Sequence, residues 1–208
     1  MKFYIPFLII IFFIITANRL AFSNPYTDSL EKALTTANDT QKINILSSIS
    51  FFYINKDIHL ASDYAQKALE FALKCDNKRE LSATFILIGN IAHRKADYEK
   101  AMHNYMQALE IAEEISSKTE ISNACHNLGT MFQEKGDYAA ALENLFRALT
   151  IREELKDSLN MARTFNNIGL VYYEQESYDK ALYYYQKSME IRLRANDLPG
   201  VALGYNNI

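Results

Sequence analysis

The 208-residue chain has no tryptophan, three prolines and only six glycines. So few turn-formers exclude an all-β meander, whose hairpins need such residues at every corner. Two cysteines, Cys75 and Cys125, cannot build a disulfide framework. No run of five or six Lys/Arg occurs, and the net charge is −3. Nucleic-acid binding calls for a concentrated basic face, so no nucleic-acid partner is expected. Catalytic patterns are missing too: there is no G-x-x-x-x-G-K, no H-E-x-x-H and no Gly-rich phosphate loop. His59, His93, His103 and His126 never fall at i, i+4, so no helical metal pair forms. Ser29-Leu30-Glu31-Lys32 fits S-x-x-K but lacks the companion motifs S-D-N and K-T-G, and reads as a polar first helical turn. No catalytic residue, cofactor or metal is expected.

The N-terminal stretch stands apart. Lys2 precedes an apolar run over residues 3–15, and Ala21-Phe22-Ser23 offers a small-x-small cleavage pattern. The run of 13 is short of the roughly 20 residues that cross a bilayer. Residues 1–23 therefore read as a secretory signal peptide, and the protein as exported, periplasmic or secreted. Membrane attachment is expected only through this segment, at the inner membrane, if it is left uncleaved.

The rest of the chain repeats. Gly89, Gly129 and Gly169 recur at one fixed interval, as do Tyr98, Tyr138 and Tyr178, and Ala101, Ala141 and Ala181. Ile111, Ile151 and Ile191 keep the same 40-residue register, as do Asn127, Asn167 and Asn207. Each unit divides into two helical segments, and in the third two apolar stripes at helical spacing flank a G-D-Y turn. Gly129 and Ala141 keep bulk away from the line between the two helix axes. Each hairpin leaves an apolar face that only the next hairpin can cover, which predicts an all-α stack. Residues 24–39 read as an N-terminal helix and linker, with Asp28 and Glu31 opening a helix near 29–37. Ser117 and Glu120 have the spacing of a capping box. Cys125 stands where Phe85 and Phe165 stand, and reads as a small core residue.

These motifs resemble the tetratricopeptide repeat (TPR). Phe165, Ile168, Gly169, Tyr172, Ala181 and Tyr185 fill its signature places in one unit, and Phe85, Ile88, Gly89, Ala101, Tyr105 and Ala108 in another. The resemblance implies a right-handed α-solenoid of TPR helix-turn-helix hairpins: a degenerate first unit over 40–79, then 80–119, 120–159 and 160–199, and the start of a fifth over 200–208. The usual TPR period is shorter, about 34 residues. Here the Gly-to-Ala spacing is the usual twelve, so the extra length falls after the second helix and lengthens both helices.

In the TPR family the first helices line the concave face and hold peptides there. The matching positions are Asn123, His126, Asn127, Thr130 and Gln133, then Arg163, Asn166, Asn167 and Tyr173, then Asn206 and Asn207. Asparagine is a poor helix-interior residue. Its amide suits either gripping a peptide backbone or bonding to the adjacent hairpin, and the sequence leaves both open. A clamp for C-terminal carboxylates needs several Lys/Arg on this face, and Arg163 alone qualifies. A signal peptide before 40-residue TPRs is similar to the extracytoplasmic sensor region of bacterial histidine kinases and transcriptional regulators. The implied function is an exported, non-enzymatic scaffold binding a protein or peptide within a larger signalling protein. Self-association through exposed solenoid ends, as in a structural assembly, is the alternative. Ending on Gly204-Tyr205-Asn206-Asn207-Ile208, part-way into a fifth unit, the chain is expected to continue into an output domain.

Overall fold

The computed structural model describes residues 24–207, without the side chains of Leu203, Tyr205 and Asn206. The expected signal segment, residues 1–23, lies outside the described residues. Within them ten α-helices follow one another: α1 (Pro25–Leu34), α2 (Asp39–Tyr53), α3 (Ile58–Lys74), α4 (Lys78–Arg94), α5 (Tyr98–Glu114), α6 (Lys118–Glu134), α7 (Tyr138–Glu154), α8 (Ser158–Glu174), α9 (Tyr178–Arg194) and α10 (Leu198–Asn207). No strand occurs among the described residues. Helices α2–α3, α4–α5, α6–α7 and α8–α9 pair as hairpins. The first helices α2, α4, α6 and α8 also touch one another in sequence. They form the inner wall of an α-solenoid.

From α3 to α9 every helix has 17 residues. The 40-residue unit is thus two equal halves, and the lengthening is shared evenly between its helices. One device recurs at every turn from α4 onward. Ala96, Ser116, Gly136, Lys156, Glu176 and Asn196 all sit at positive φ, one in each half-unit. At each the chain closes a Schellman motif: Lys156 N–H donates to Glu153 O (3.0 Å), and Asp157 N–H reaches back to Arg152 O (2.9 Å). The residue that ends one helix then caps the next. Asp97, Asp137, Asp157 and Asp197 each accept, through Oδ1, the N–H three residues on.

Two expected caps differ. The first helix starts at Pro25 under Asn24, whose Oδ1 accepts Tyr26 N–H, so Asp28 lies inside the first turn. Proline suits that first position because its missing N–H is unneeded there. The reciprocal capping box lies instead at Asn38 and Gln41. Ser117 makes no side-chain bond to the backbone; its hydroxyl donates to the Glu120 carboxylate, which Arg79 of the preceding hairpin also contacts at 3.3 Å.

The core follows the small-residue positions. Ala61, Ala101, Ala141 and Ala181 are buried, as are Ala68, Ala108, Ala148 and Ser188. Opposite them, Gly89, Gly129 and Gly169 let the hairpins close. A Cβ on Gly129 would lie 2.7 Å from Leu145 Cγ, and one on Gly169 would lie 2.7 Å from the Tyr185 ring. Cys125 is fully buried in the core cluster of Ala112, Ile121 and Ala148. Tyr184 stacks on Tyr172 (ring centroids 5.5 Å apart), while Tyr183 stays exposed. No described helix is long and apolar enough to cross a membrane.

Candidate functional site on the inner face

The asparagines of the first helices bond sideways. Asn127 Nδ2 donates to Asn90 Oδ1 (3.2 Å), which also accepts the Tyr105 hydroxyl at 2.8 Å. Asn167 Nδ2 donates to Thr130 Oγ1 (3.0 Å), and Asn207 Nδ2 to Asn166 Oδ1 (2.8 Å). The reason is geometric: one repeat back along the chain, give or take a turn of helix, is the neighbouring place on the adjacent first helix. These bonds use the amide donors and fix the rotamers. The Oδ1 atoms of Asn127 and Asn167 accept no hydrogen bond from the described residues, and remain as acceptors on the inner wall.

The candidate residues divide into groups. Asn123, His126, Asn127 and Arg163 come together around a cavity of about 240 Å³ between α4, α6 and α8, with Asn90 and Arg152. His126 and Arg163 also border a second cavity of about 480 Å³, shared with Asn166, Asn167, Arg192 and Asp197. Thr130 is the link between His126 and Asn167, donating to His126 O at 3.1 Å. Gln133 and Tyr173 stand elsewhere, at the hairpin-turn edge. Gln133 donates to Glu174 (2.7 Å), and exposed Tyr173 packs against Tyr178 (5.7 Å). The side chain of Asn206 lies outside the described residues.

Two side chains that line these cavities come from the second helices, where the first-helix pattern does not look. Arg152 closes α7 and is only 3% exposed. Its guanidinium donates from Nη1 to Asn160 O (3.0 Å) and the Thr164 hydroxyl, and from Nη2 to Asn123 Oδ1 (3.1 Å). One unit later Arg192 is also buried, but it pairs with Asp197 Oδ2 at 2.8 Å. The change follows from two substitutions between units. Gly200 replaces Asn160, and a Cβ there would lie 1.8 Å from Arg192 Nη1; Arg163 replaces Asn123 and offers no acceptor. The sequence does carry a signal for this pair: arginine stands where the earlier units have Ala72 and Ala112.

The electrostatics follow from this placement. Burial pushes the Arg152 guanidinium down to about 10, with Asp157 opposing and Arg163 adding to the fall, so it stays charged at neutral pH. His126 is pushed down to about 3, first by burial and then by Arg152 and Arg163, so its ring is neutral. Arg163 is exposed and has no ion-pair partner among the described residues. No group of three or more His, Cys, Asp or Glu among the described residues could hold a metal ion. Around these two cavities the wall is polar, lined by Arg152, Arg163 and Arg192, with Asp197 as the one acid among the lining residues.

Solved structures share this architecture. Aspartyl phosphate phosphatase F from Bacillus subtilis matches with a TM-score of 0.73 at 20% identity, over 85% of this chain and 46% of that one. A Rap protein complexed with Competence and Sporulation Factor matches with 0.74 at 16% identity, over 86% and 51%. A STAND signal-transduction ATPase with a tetratricopeptide repeat sensor, from Pyrococcus horikoshii, matches with 0.68 at 17% identity, over 84% and 28%. The chain thus spans about half the length of the first two, or less in the third. No curated protein matches the sequence. Tetratricopeptide repeat family models match residues 120–194 and 83–115, together just over half of the chain. The fold is that of a protein-interaction scaffold, and the chain belongs to the tetratricopeptide repeat family.

Proposed function

We propose that this protein is a non-enzymatic scaffold that binds an extended peptide or protein segment along the inner wall of its solenoid, as the sensing part of a larger signalling protein. The observation that carries the reading is the row of Oδ1 acceptors on Asn127 and Asn167, locked in place by Nδ2 bonds to the preceding hairpin. Rigid acceptors aimed at a groove bind backbone N–H groups with little ordering cost. Support also comes from the Rap protein of like fold, whose structure holds Competence and Sporulation Factor. The apolar run at residues 3–15 supports export, which the mass of the mature chain recovered from cells would test.

The function is tested with a random heptapeptide library panned against the full chain. Selected peptides should lose roughly tenfold in affinity on Asn127→Ala or Asn167→Ala, with helical circular dichroism unchanged. Peptides that bind both variants as tightly as the parent would remove the amide row from the site.

A further inference from the structure

A further cavity, of about 430 Å³, opens where α1, α2 and α3 meet, and it shares no residue with the two cavities of the inner wall. Its size is that of a small-molecule site. Leu34, Leu46 and Phe71 give it an apolar lining, and the charged side chains of Glu31, Lys42, Lys67 and Glu70 stand beside them.

Two of these charges break the repeat. Glu31 occupies the place that Phe71, Ile111, Ile151 and Ile191 hold in the later units. Lys42 stands where Ser82, Ser122 and Ala162 are buried. Departures from an otherwise consistent pattern are expected where a chain keeps a function. A polar cap at the end of a solenoid needs charges on its outer face. These two instead border one cavity with an apolar lining.

The four charges differ in their commitments. The Glu31 carboxylate accepts the Tyr64 hydroxyl, and Lys42 Nζ pairs with Asp39 at 3.1 Å. Lys67 and Glu70, one turn apart on α3, form no ion pair with each other or with any other described residue. Lys67 Nζ lies 5.2 Å from the centre of the Tyr64 ring, a contact that leaves ammonium N–H groups to donate. One cavity thus offers a cation and an anion without ionic partners, next to an apolar lining.

We infer that this cavity binds a small zwitterion with an apolar body, of the class of the free apolar amino acids. Its carboxylate meets Lys67, its ammonium meets Glu70, and its side chain lies against Leu34, Leu46 and Phe71. Charge complementarity carries the choice. An amphipathic anion would leave Glu70 unmatched and an amphipathic cation would leave Lys67 unmatched, whereas a zwitterion answers both. Glu31 and Lys42, held by Tyr64 and Asp39, add one further charge of each sign to the rim. The site does not depend on the peptide-binding reading of the inner wall.

The probe is L-phenylalanine, titrated into the full chain and followed through the backbone amide resonances of residues 64–71. Saturable shifts are expected. Three analogues each lack one part: phenylacetate the ammonium, phenethylamine the carboxylate, and glycine the apolar body. Each should bind at least about tenfold more weakly. The variants cross with the ligands. Glu70→Gln should weaken phenylalanine about tenfold and leave phenylacetate unchanged, and Lys67→Gln should weaken phenylalanine about tenfold and leave phenethylamine unchanged. Both positions are exposed and glutamine is a good helix former, so helicity should be retained. The inference is overturned by a lack of saturable phenylalanine binding, or by variants that bind it as the parent does. Phenylacetate or phenethylamine binding as tightly as phenylalanine would also overturn it, in favour of a simple amphipathic ion.

Discussion

Gly129→Ala separates packing from propensity. On helix propensity alone the change should stabilise the chain by about 1 kcal/mol, since glycine is the poorest ordinary residue in a helix interior. The structure opposes this. The new Cβ would lie 2.7 Å from Leu145 Cγ, 3.0 Å from Leu145 Cδ2 and 3.1 Å from the Ala141 carbonyl oxygen. Leu145 is fully buried, and the carbonyl is helix backbone, so neither can simply swing away. Overpacking of this kind costs about 1–3 kcal/mol. Contacts this short place the cost at the upper end, leaving a net destabilisation of about 1–2 kcal/mol. Leu145→Ala alone should cost about 2–5 kcal/mol through its cavity. In the double variant the added methyl occupies space that the leucine vacated, so the two costs should sum to more than the observed one. The assay is urea unfolding of the four proteins, followed by circular dichroism at a helical wavelength. Gly129→Ala more stable than the parent, or a strictly additive cycle, would refute the close-approach argument.

Other consequences are smaller or more local. Lys156 holds φ 56° and Gly136 holds φ 77° at equivalent turns, with nothing within 4 Å of a Cβ built on Gly136. Lys156→Gly should therefore stabilise, and Gly136→Ala destabilise, each by about 1 kcal/mol in thermal unfolding. His126 titrates at about 3 in the fold against 6.5 for an ordinary histidine. Its folded value is depressed, so its contribution to stability is complete above pH 6.5. It is lost progressively as the pH falls through this window, because only the unfolded chain takes up the proton. His126→Asn should flatten the urea-midpoint profile in that window. Burial raises the Cys125 thiol, chiefly by desolvation, whereas Cys75 is only partly buried. Iodoacetamide should therefore modify Cys75 first in the native chain and reach Cys125 on unfolding, as peptide mapping would show.

Much of the fold is legible from the order of residues because a stack of hairpins is nearly one-dimensional. Each unit meets only its neighbours, so the 40-residue recurrence of Gly, Tyr and Ala states both the helices and their packing. A finer recurrence is also present in the chain. Asp57, Asn77, Asp97, Ser117, Asp137, Asp157, Ser177 and Asp197 fall once per half-unit, and most cap the helix that follows. What the positive-φ residues before them do is hidden, because alanine, serine, lysine, glutamate and asparagine share the role with a single glycine among the described residues. The Schellman bonds accept any of them at modest cost, so composition does not mark the turn.

The candidate site is legible only in part. The asparagines announce themselves by standing inside helices, yet whether their amides turn outward or sideways depends on the distance between adjacent first helices. Arg152 and Arg192 are the same residue in the same register, and they end with different partners because Asn160 and Asn123 become Gly200 and Arg163. A linear pattern determines which face a side chain shares. Which neighbour it reaches, and which charge is left without one, is decided by the three-dimensional stack, because that choice is made between hairpins a whole repeat apart in the chain.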